Sequence, residues 1–209
     1  MTPDETLELR LADHARWLAS TGGEGTRLDL TDADLGDIDL AGRDLREAVL
    51  AGARLTAASL AGADLGRANL SGASLSGADL TGADLTRANL DLVHASRALL
   101  TGARLYRASC MQADLRQATL DGADLTRTGF SRTDLTSASL RDARLDRTAF
   151  DEVTLDRADV AGATGTVLGE AAAAALRALG ADVQAYVAPP TQPGSPEARR
   201  PGAPRPGAH

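Results

Sequence analysis

The residue types that most often do chemistry are few in this 209-residue chain, and their spacing brings none of them together. The three histidines, His14, His94 and His209, lie far apart, and Cys110 is the single cysteine, so no intrachain disulfide can form. There is no Cys-x-x-Cys pair, no glycine-rich phosphate loop and no His-Glu-x-x-His helix. Cys110 falls in a column of apolar residues and reads as a small buried hydrophobe rather than a reactive thiol. Aspartates are so regularly spaced that carboxylate pairs occur everywhere, and no one pair marks an acid–base dyad. The sequence therefore assigns no catalytic, cofactor-binding or metal-binding residue, and the expected class is a non-enzymatic protein.

The regular spacing is itself the main signal. The same word recurs as Ala33-Asp34-Leu35, Ala63-Asp64-Leu65, Ala78-Asp79-Leu80, Ala83-Asp84-Leu85, Ala113-Asp114-Leu115 and Ala123-Asp124-Leu125. Every position divisible by five from 30 to 160 is Leu, except Ala95, Cys110, Phe130, Phe150 and Val160. From Leu28 to Gly162 these pentapeptide words follow one another without a gap. Such an internal repeat governs the fold and must be read first.

A slower period runs through the words. Gly occupies 42, 62, 82, 102, 122 and 162, and Arg occupies 67, 87, 107, 127 and 147, both on a 20-residue spacing that the Gly series skips once, at Asp142. Four words per turn predict a four-sided solenoid of nearly seven coils. Coils paired through the backbone sit about 4.8 Å apart, so the rod is roughly 30 Å long. The central residue and the one two before it face inward. They are apolar or small nearly throughout, apart from Arg43 and a few Thr, while the other columns hold Asp, Asn, Arg, Ser, Thr and Gly. Leu35, Leu55, Leu75, Leu115, Leu135 and Leu155 are expected in one buried column. Cys110, Phe130 and Phe150 stack in another. Such an interior has little room for rings, which accounts for an aromatic content of only 2%.

This pattern resembles the pentapeptide-repeat family, whose word is Ala-(Asp/Asn)-Leu-x-x, over about two thirds of the chain. The resemblance implies an all-β solenoid, a right-handed quadrilateral parallel β-helix, with the aromatic column as a feature of the family. It also implies C-terminal elements that cap the rod and join two rods end to end.

Four segments follow. Residues 1–27 hold an N-terminal capping helix over 4–20 and a linker; Leu7, Leu11, His14 and Leu18 recur at helical spacing, Trp17 lies beside them, and Gly22 and Gly23 end it. A solenoid needs such a cap over its open end. Residues 28–162 are the β-helix. Residues 163–187 hold a helix over 167–179, with Leu168, Ala172, Ala175, Leu176 and Leu179 on one face, followed by a short strand at 183–187. Residues 188–209 are a Pro-, Gly- and Arg-rich disordered tail. The word falters at residues 91–95, where Ala95 replaces Leu, and Leu92, Leu99 and Leu100 read as additional apolar residues. A local bulge or an exposed apolar patch is expected there, with His94 pointing outward. No signal peptide is visible and no apolar run approaches the roughly 18 residues of a membrane span, so a cytoplasmic protein with no membrane contact is expected.

The net charge is −7, every basic residue is Arg, and the coils carry 21 acidic residues against 15 Arg. Acids crowd the first coil. Two functional readings lead, with anion binding along the Arg column, of nucleic acid or an acidic partner protein, as a third class. In one the rod binds DNA gyrase or another type II topoisomerase as a DNA mimic, as the resemblance to the loop-free quinolone-resistance-type members implies; Asp34, Asp39, Asp44, Asp64 and Asp84 are its candidate contacts. In the other it is a protein-interaction scaffold with no topoisomerase role. One continuous acidic face favours the first, and alternating patches favour the second. Direct nucleic-acid binding is not expected, and a homodimer through Leu168, Leu176 and Leu179 is. The ladder Arg67, Arg87, Arg107, Arg127 and Arg147 has Asp64, Asp84 and Asp124 three positions before three of its rungs. Arg104 and Arg144 take that place before Arg107 and Arg147, so local positive charge is expected there. The ladder is either an edge neutralised by nearby acids or a patch for an acidic segment of a partner or of a second copy.

Overall fold

Each pentapeptide word has five backbone N–H groups to satisfy, and the way it does so builds the rod. In the word centred on Leu50, the N–H of Leu50 donates to Asn69 O of the next coil at 2.7 Å, and that of Gly52 to Ser71 O at 2.9 Å. Ala53 closes the corner by donating to Leu50 O at 3.1 Å, and Arg54 donates back to Ala33 O at 2.8 Å. The remaining N–H, on the residue after the central Leu, faces no carbonyl. In many words an Asp or Asn two positions earlier accepts from it: Asn69 Oδ1 from Ser71, Asp84 Oδ1 from Thr86 and Asp124 Oδ1 from Thr126, at 2.9–3.1 Å. The aspartate of the word is thus a turn cap before it is a surface charge.

The computed structural model describes residues 3–186. Parallel bridges link each coil to the next on every side, from Asp29↔Val49 to Arg144↔Thr164. The chain is a four-sided parallel β-helix with the coil length read from the Gly and Arg steps. The first to fourth sides are centred on the columns of Leu30, Leu35, Leu40 and Leu45. Central residues and the small residues two before them form one continuous core. Phe130 and Phe150 stack with centroids 5.4 Å apart, and Cys110 is buried in the same column. Where Thr replaces the small inward residue, its hydroxyl donates to a carbonyl of the coil below: Thr128 to Leu105 O at 2.7 Å and Thr148 to Leu125 O at 2.8 Å.

The N-terminal end is covered by α1 (Pro3–Ala19), which brings Leu11 and His14 onto the first coil. Gly25 lets the chain pass beneath the helix; at φ +74° a Cβ there would collide with Asp13 O. Arg43 holds an inward position in the word but reaches out past the first coil to Glu8 of α1 at 2.6 Å.

Among the described residues regular strands appear only in the C-terminal part: β1 (Gly129–Ser131), β2 (Thr148–Asp151), β3 (Thr164–Leu168) and β4 (Asp182–Tyr186), in one parallel sheet of that order, with α2 (Glu170–Ala178) between the last two. The expected helix over 167–179 is therefore shorter. Val167 and Leu168 belong to β3, because the edge of β2 offers backbone partners through Thr148↔Val167 and Ala149↔Leu168. Tertiary pairing overrides an Ala-rich helical pattern. Helix α2 then replaces the other sides of the last coil and buries Ala173 and Leu176 on the core, and β4 returns to pair with β3. Leu155, expected in the buried column of the second side, is only partly buried on the core. Residues 91–95 keep their register through Ser74↔His94↔Asp114, so no bulge forms. Leu92 and Leu99 are exposed instead, the first at a corner and the second on the third side. Val187 and the tail 188–209 lie outside the described residues.

Candidate interaction surfaces

Among the described residues the concavities are open surface grooves, such as one of about 510 Å³ lined by Trp17, Leu18, Arg46, Glu47, Arg67 and Asp84, so the candidate sites lie on the rod's four sides, its corners or its ends. Among the described residues no group of three or more His, Cys, Asp or Glu is placed to hold a metal ion. Burial pushes the Cys110 thiol up, with the Asp91 charge adding to the shift, so it stays protonated inside the core. His94 stands in the outward column of the second side.

His14 is not a surface group. It is fully buried, its Nδ1 accepts the Leu28 N–H at 3.1 Å, and its ring stacks on Trp17 at 5.8 Å. Among the described residues Nε2 has no hydrogen-bond partner. Burial lowers the His14 pKa, outweighing the Arg46 backbone and the Asp44 charge, which favour the charged ring; the charges of Arg27 and Arg46 add to the lowering. A histidine that is harder to protonate folded than unfolded lends stability above the unfolded value of about 6.5, and that stability is lost as the pH falls below it. The melting temperature should accordingly drop between pH 7 and pH 5. His14→Phe should lower it at pH 7.5 yet flatten that slope. An unchanged slope in the variant would contradict the assignment.

The five candidate aspartates do not form one face. Asp34 lies on the second side and Asp39 on the third, while Asp44, Asp64 and Asp84 share a column of the fourth through Asp44↔Asp64↔Asp84. Four of the five are ion-paired: Asp34 with Arg54 at 2.8 Å, Asp44 and Asp64 with Arg46 at 2.6 and 3.5 Å, and Asp84 with Arg104 at 2.8 Å. Hydrogen bonding from Arg46 holds the Asp44 carboxyl below its ordinary range. At Asp84 burial opposes ionisation but is outweighed by Thr86 and Arg104. Acidic character is densest in the first coil, with Asp29, Asp32, Asp34, Asp37, Asp39 and Asp44 around its perimeter. Further along, acids and arginines alternate.

The arginine ladder occupies the corner between the fourth and first sides, each rung at the left-handed turn position with φ 57–60°. Its partners differ from the expected ones. Arg67 reaches Glu47 at 3.4 Å rather than Asp64, and Asp84 is taken by Arg104 of the next coil. Arg144 pairs with Asp146 at 3.0 Å, so neither Arg104 nor Arg144 adds uncompensated charge. Arg107 lies over Tyr106 and Arg147 over Tyr186, with guanidinium-to-ring distances of 5.3 and 5.0 Å. Sequence spacing suggests pairs within a coil; the structure makes several of them between coils, where the partners lie about one full turn apart along the chain.

At the C-terminal end, Leu176 is buried against its own chain, whereas Leu168 and Leu179 are 41% and 40% exposed. The sequence signal for Leu176 is helical spacing alone, which does not say whether a face meets its own core or a partner.

A family model described as pentapeptide repeats matches residues 29–65, 53–91, 96–132 and 128–164, with 8 copies. No curated protein matches the chain. Among solved structures, a pentapeptide repeat protein from the Arabidopsis thaliana thylakoid lumen is 30% identical over 55% of this chain and 81% of its own, with a TM-score of 0.51. HetL, a pentapeptide repeat protein of the cyanobacterium Nostoc involved in regulating heterocyst differentiation, is 26% identical over 71% of this chain and 90% of its own, with a TM-score of 0.35. A trypsin-treated form of QnrB1, a plasmid-mediated fluoroquinolone resistance protein, is 16% identical over 76% of this chain and 91% of its own, with a TM-score of 0.45.

Proposed function

Because the chain belongs to the pentapeptide-repeat family, whose members form right-handed quadrilateral β-helices, we propose that it is a non-enzymatic rod that binds protein partners on its outer sides. The observation that carries this reading is the split of the word into two sets of positions. The inward set builds the core and the Asp or Asn caps the turn, which leaves the outward columns free to vary. Flat sides without a deep cleft suit a protein surface better than a small molecule. Leu168 and Leu179, exposed at the rod's C-terminal end, are the proposed contacts of a homodimer, which would bury them. Full-length protein sedimenting as a monomer at micromolar concentration would remove that part. No helix among the described residues is long and apolar enough to cross a membrane, and we place the protein in the cytoplasm.

A second reading, binding of DNA gyrase as a DNA mimic, is favoured by the acidic first coil and by the column Asp44–Asp64–Asp84 that continues it, although Arg46 and Arg104 pair with those carboxylates. The alternation of charge beyond that column favours the general scaffold. Purified protein titrated into a gyrase supercoiling reaction, with and without a fluoroquinolone, separates the two. A mimic inhibits or protects, less so at raised salt, because charge complementarity steers the contact. No effect at large molar excess leaves the scaffold.

A further inference from the structure

All four corners of a coil place the same word position in the left-handed region, where glycine is unstrained and other residues are not. The corner between the third and fourth sides takes the unstrained solution at six of seven coils, with Gly42, Gly62, Gly82, Gly102, Gly122 and Gly162, the exception being Asp142. The next corner carries Arg at five consecutive coils in the same backbone conformation. The backbone gives no reason for arginine there, so the reason lies in the side chains.

Both ends of this ladder are terminated within the protein. Below, Glu47 neutralises Arg67, and above, Arg147 rests on Tyr186. Between them, Arg87, Arg107 and Arg127 have no carboxylate within ion-pair distance among the described residues, and Arg107 lies over the Tyr106 ring. In the Asp column alongside, Asp84 is engaged by Arg104 and Thr86, and Asp124 caps the Thr126 N–H without an ion pair to Arg127. The shared left-handed backbone sets the Cα–Cβ directions of the three rungs alike.

We propose that Arg87, Arg107 and Arg127 form a docking strip for a short, extended acidic segment of a partner protein. The strip spans two coil steps, about 9.6 Å. A polyproline-type extended chain puts every third residue on one side, about 9.3 Å apart, so carboxylates at that spacing meet the outer two rungs while Arg107 and Tyr106 flank the segment between them. A short peptide fits where a long polyanion does not. A nucleic acid would run on past Glu47, Asp64 and Asp146 on a chain of net charge −7. The inference rests on the protein-binding reading of the rod and is independent of gyrase, because the supercoiling assay and the peptide assay below fail separately.

The test uses fluorescence anisotropy of the full-length protein with a labelled peptide of four Glu-Pro-Pro triplets. Binding is expected at low salt and weakens as salt rises. The triple variant Arg87→Gly, Arg107→Gly, Arg127→Gly should raise the Kd at least tenfold without lowering the melting temperature, because glycine suits the left-handed turn. Arg97→Gly with Arg157→Gly, at another corner of the same conformation, should leave the Kd unchanged. The Gln-Pro-Pro peptide should not bind. Equal binding by the triple variant, an equal loss in the other-corner variant, no binding of the acidic peptide at millimolar concentration, or tighter binding of an oligothymidylate of equal charge would each overturn the proposal.

Discussion

Leu85→Asp is expected to abolish folding. Leu85 is fully buried in the fourth column, between Leu65 and Leu105 of the neighbouring coils. The interior around it holds only Leu and small residues and no cation, so the introduced carboxylate is either ionised without a partner or must take up a proton. An uncompensated buried charge costs several kcal/mol, against a total stability of about 5–15 kcal/mol for a domain. The variant should be insoluble or show no cooperative melt by circular dichroism. Its neighbour gives the comparison. Asp84→Ser faces outward, and on spacing alone it would change almost nothing. The structure raises that expectation, because Asp84 caps the Thr86 N–H at 2.9 Å and pairs with Arg104. Serine keeps a weaker form of the cap, so a loss of about 1 kcal/mol is expected. Equal melting temperatures for the two variants would refute the assignment of inward and outward columns.

Phe130→Ala is expected to cost about 3–5 kcal/mol, the range for removing a buried ring whose space cannot be refilled. Phe130 is fully buried and stacks on Phe150, and its backbone is held in β1 between neighbouring coils. The coil spacing is fixed by backbone hydrogen bonds, so the walls cannot close on the cavity. Chemical denaturation measures the loss. Cys110 supplies a second readout, since it lies one coil below in the same column and its thiol is shielded and held protonated. Its reaction with a thiol reagent should be slow in the parent and faster in Phe130→Ala. A variant that keeps both its denaturation midpoint and its slow thiol would show that the ring is not a core element.

The fold is legible in the sequence because the repeat states its own geometry. The even steps of Gly42–Gly62–Gly82 and of Arg67–Arg87–Arg107 fix the coil, and the bridges Asp44↔Asp64↔Asp84 have that register. The capping helix is legible from Leu7, Leu11 and His14. The C-terminal segment is less so. Val167 and Leu168 fit an Ala-rich helical pattern, and only the open edge of β2 makes them a strand. The surfaces are legible as columns but not as partnerships. Arg104 finds Asp84 and Arg132 finds Glu152, each a full turn away along the chain and one coil away in space. The double duty of aspartate is also hidden. A carboxylate that accepts a backbone N–H and one that merely faces water look identical in the word Ala-Asp-Leu.

Every surface described above depends on the coil holding four words, and a pair of engineered cysteines tests it directly. Asn69 and Asn89 are bridge partners on adjacent coils, at the separation of about 4.8 Å between paired parallel strands, within the Cα range a disulfide spans. Cys110 is buried and does not compete. Asn69→Cys with Asn89→Cys, four words apart, should form an intrachain disulfide under mild oxidation, read as a mobility shift reversed by reductant. Asn69→Cys with Asp84→Cys, three words apart and on different sides, should not. Cross-linking of the three-word pair with none in the four-word pair would contradict the four-sided coil.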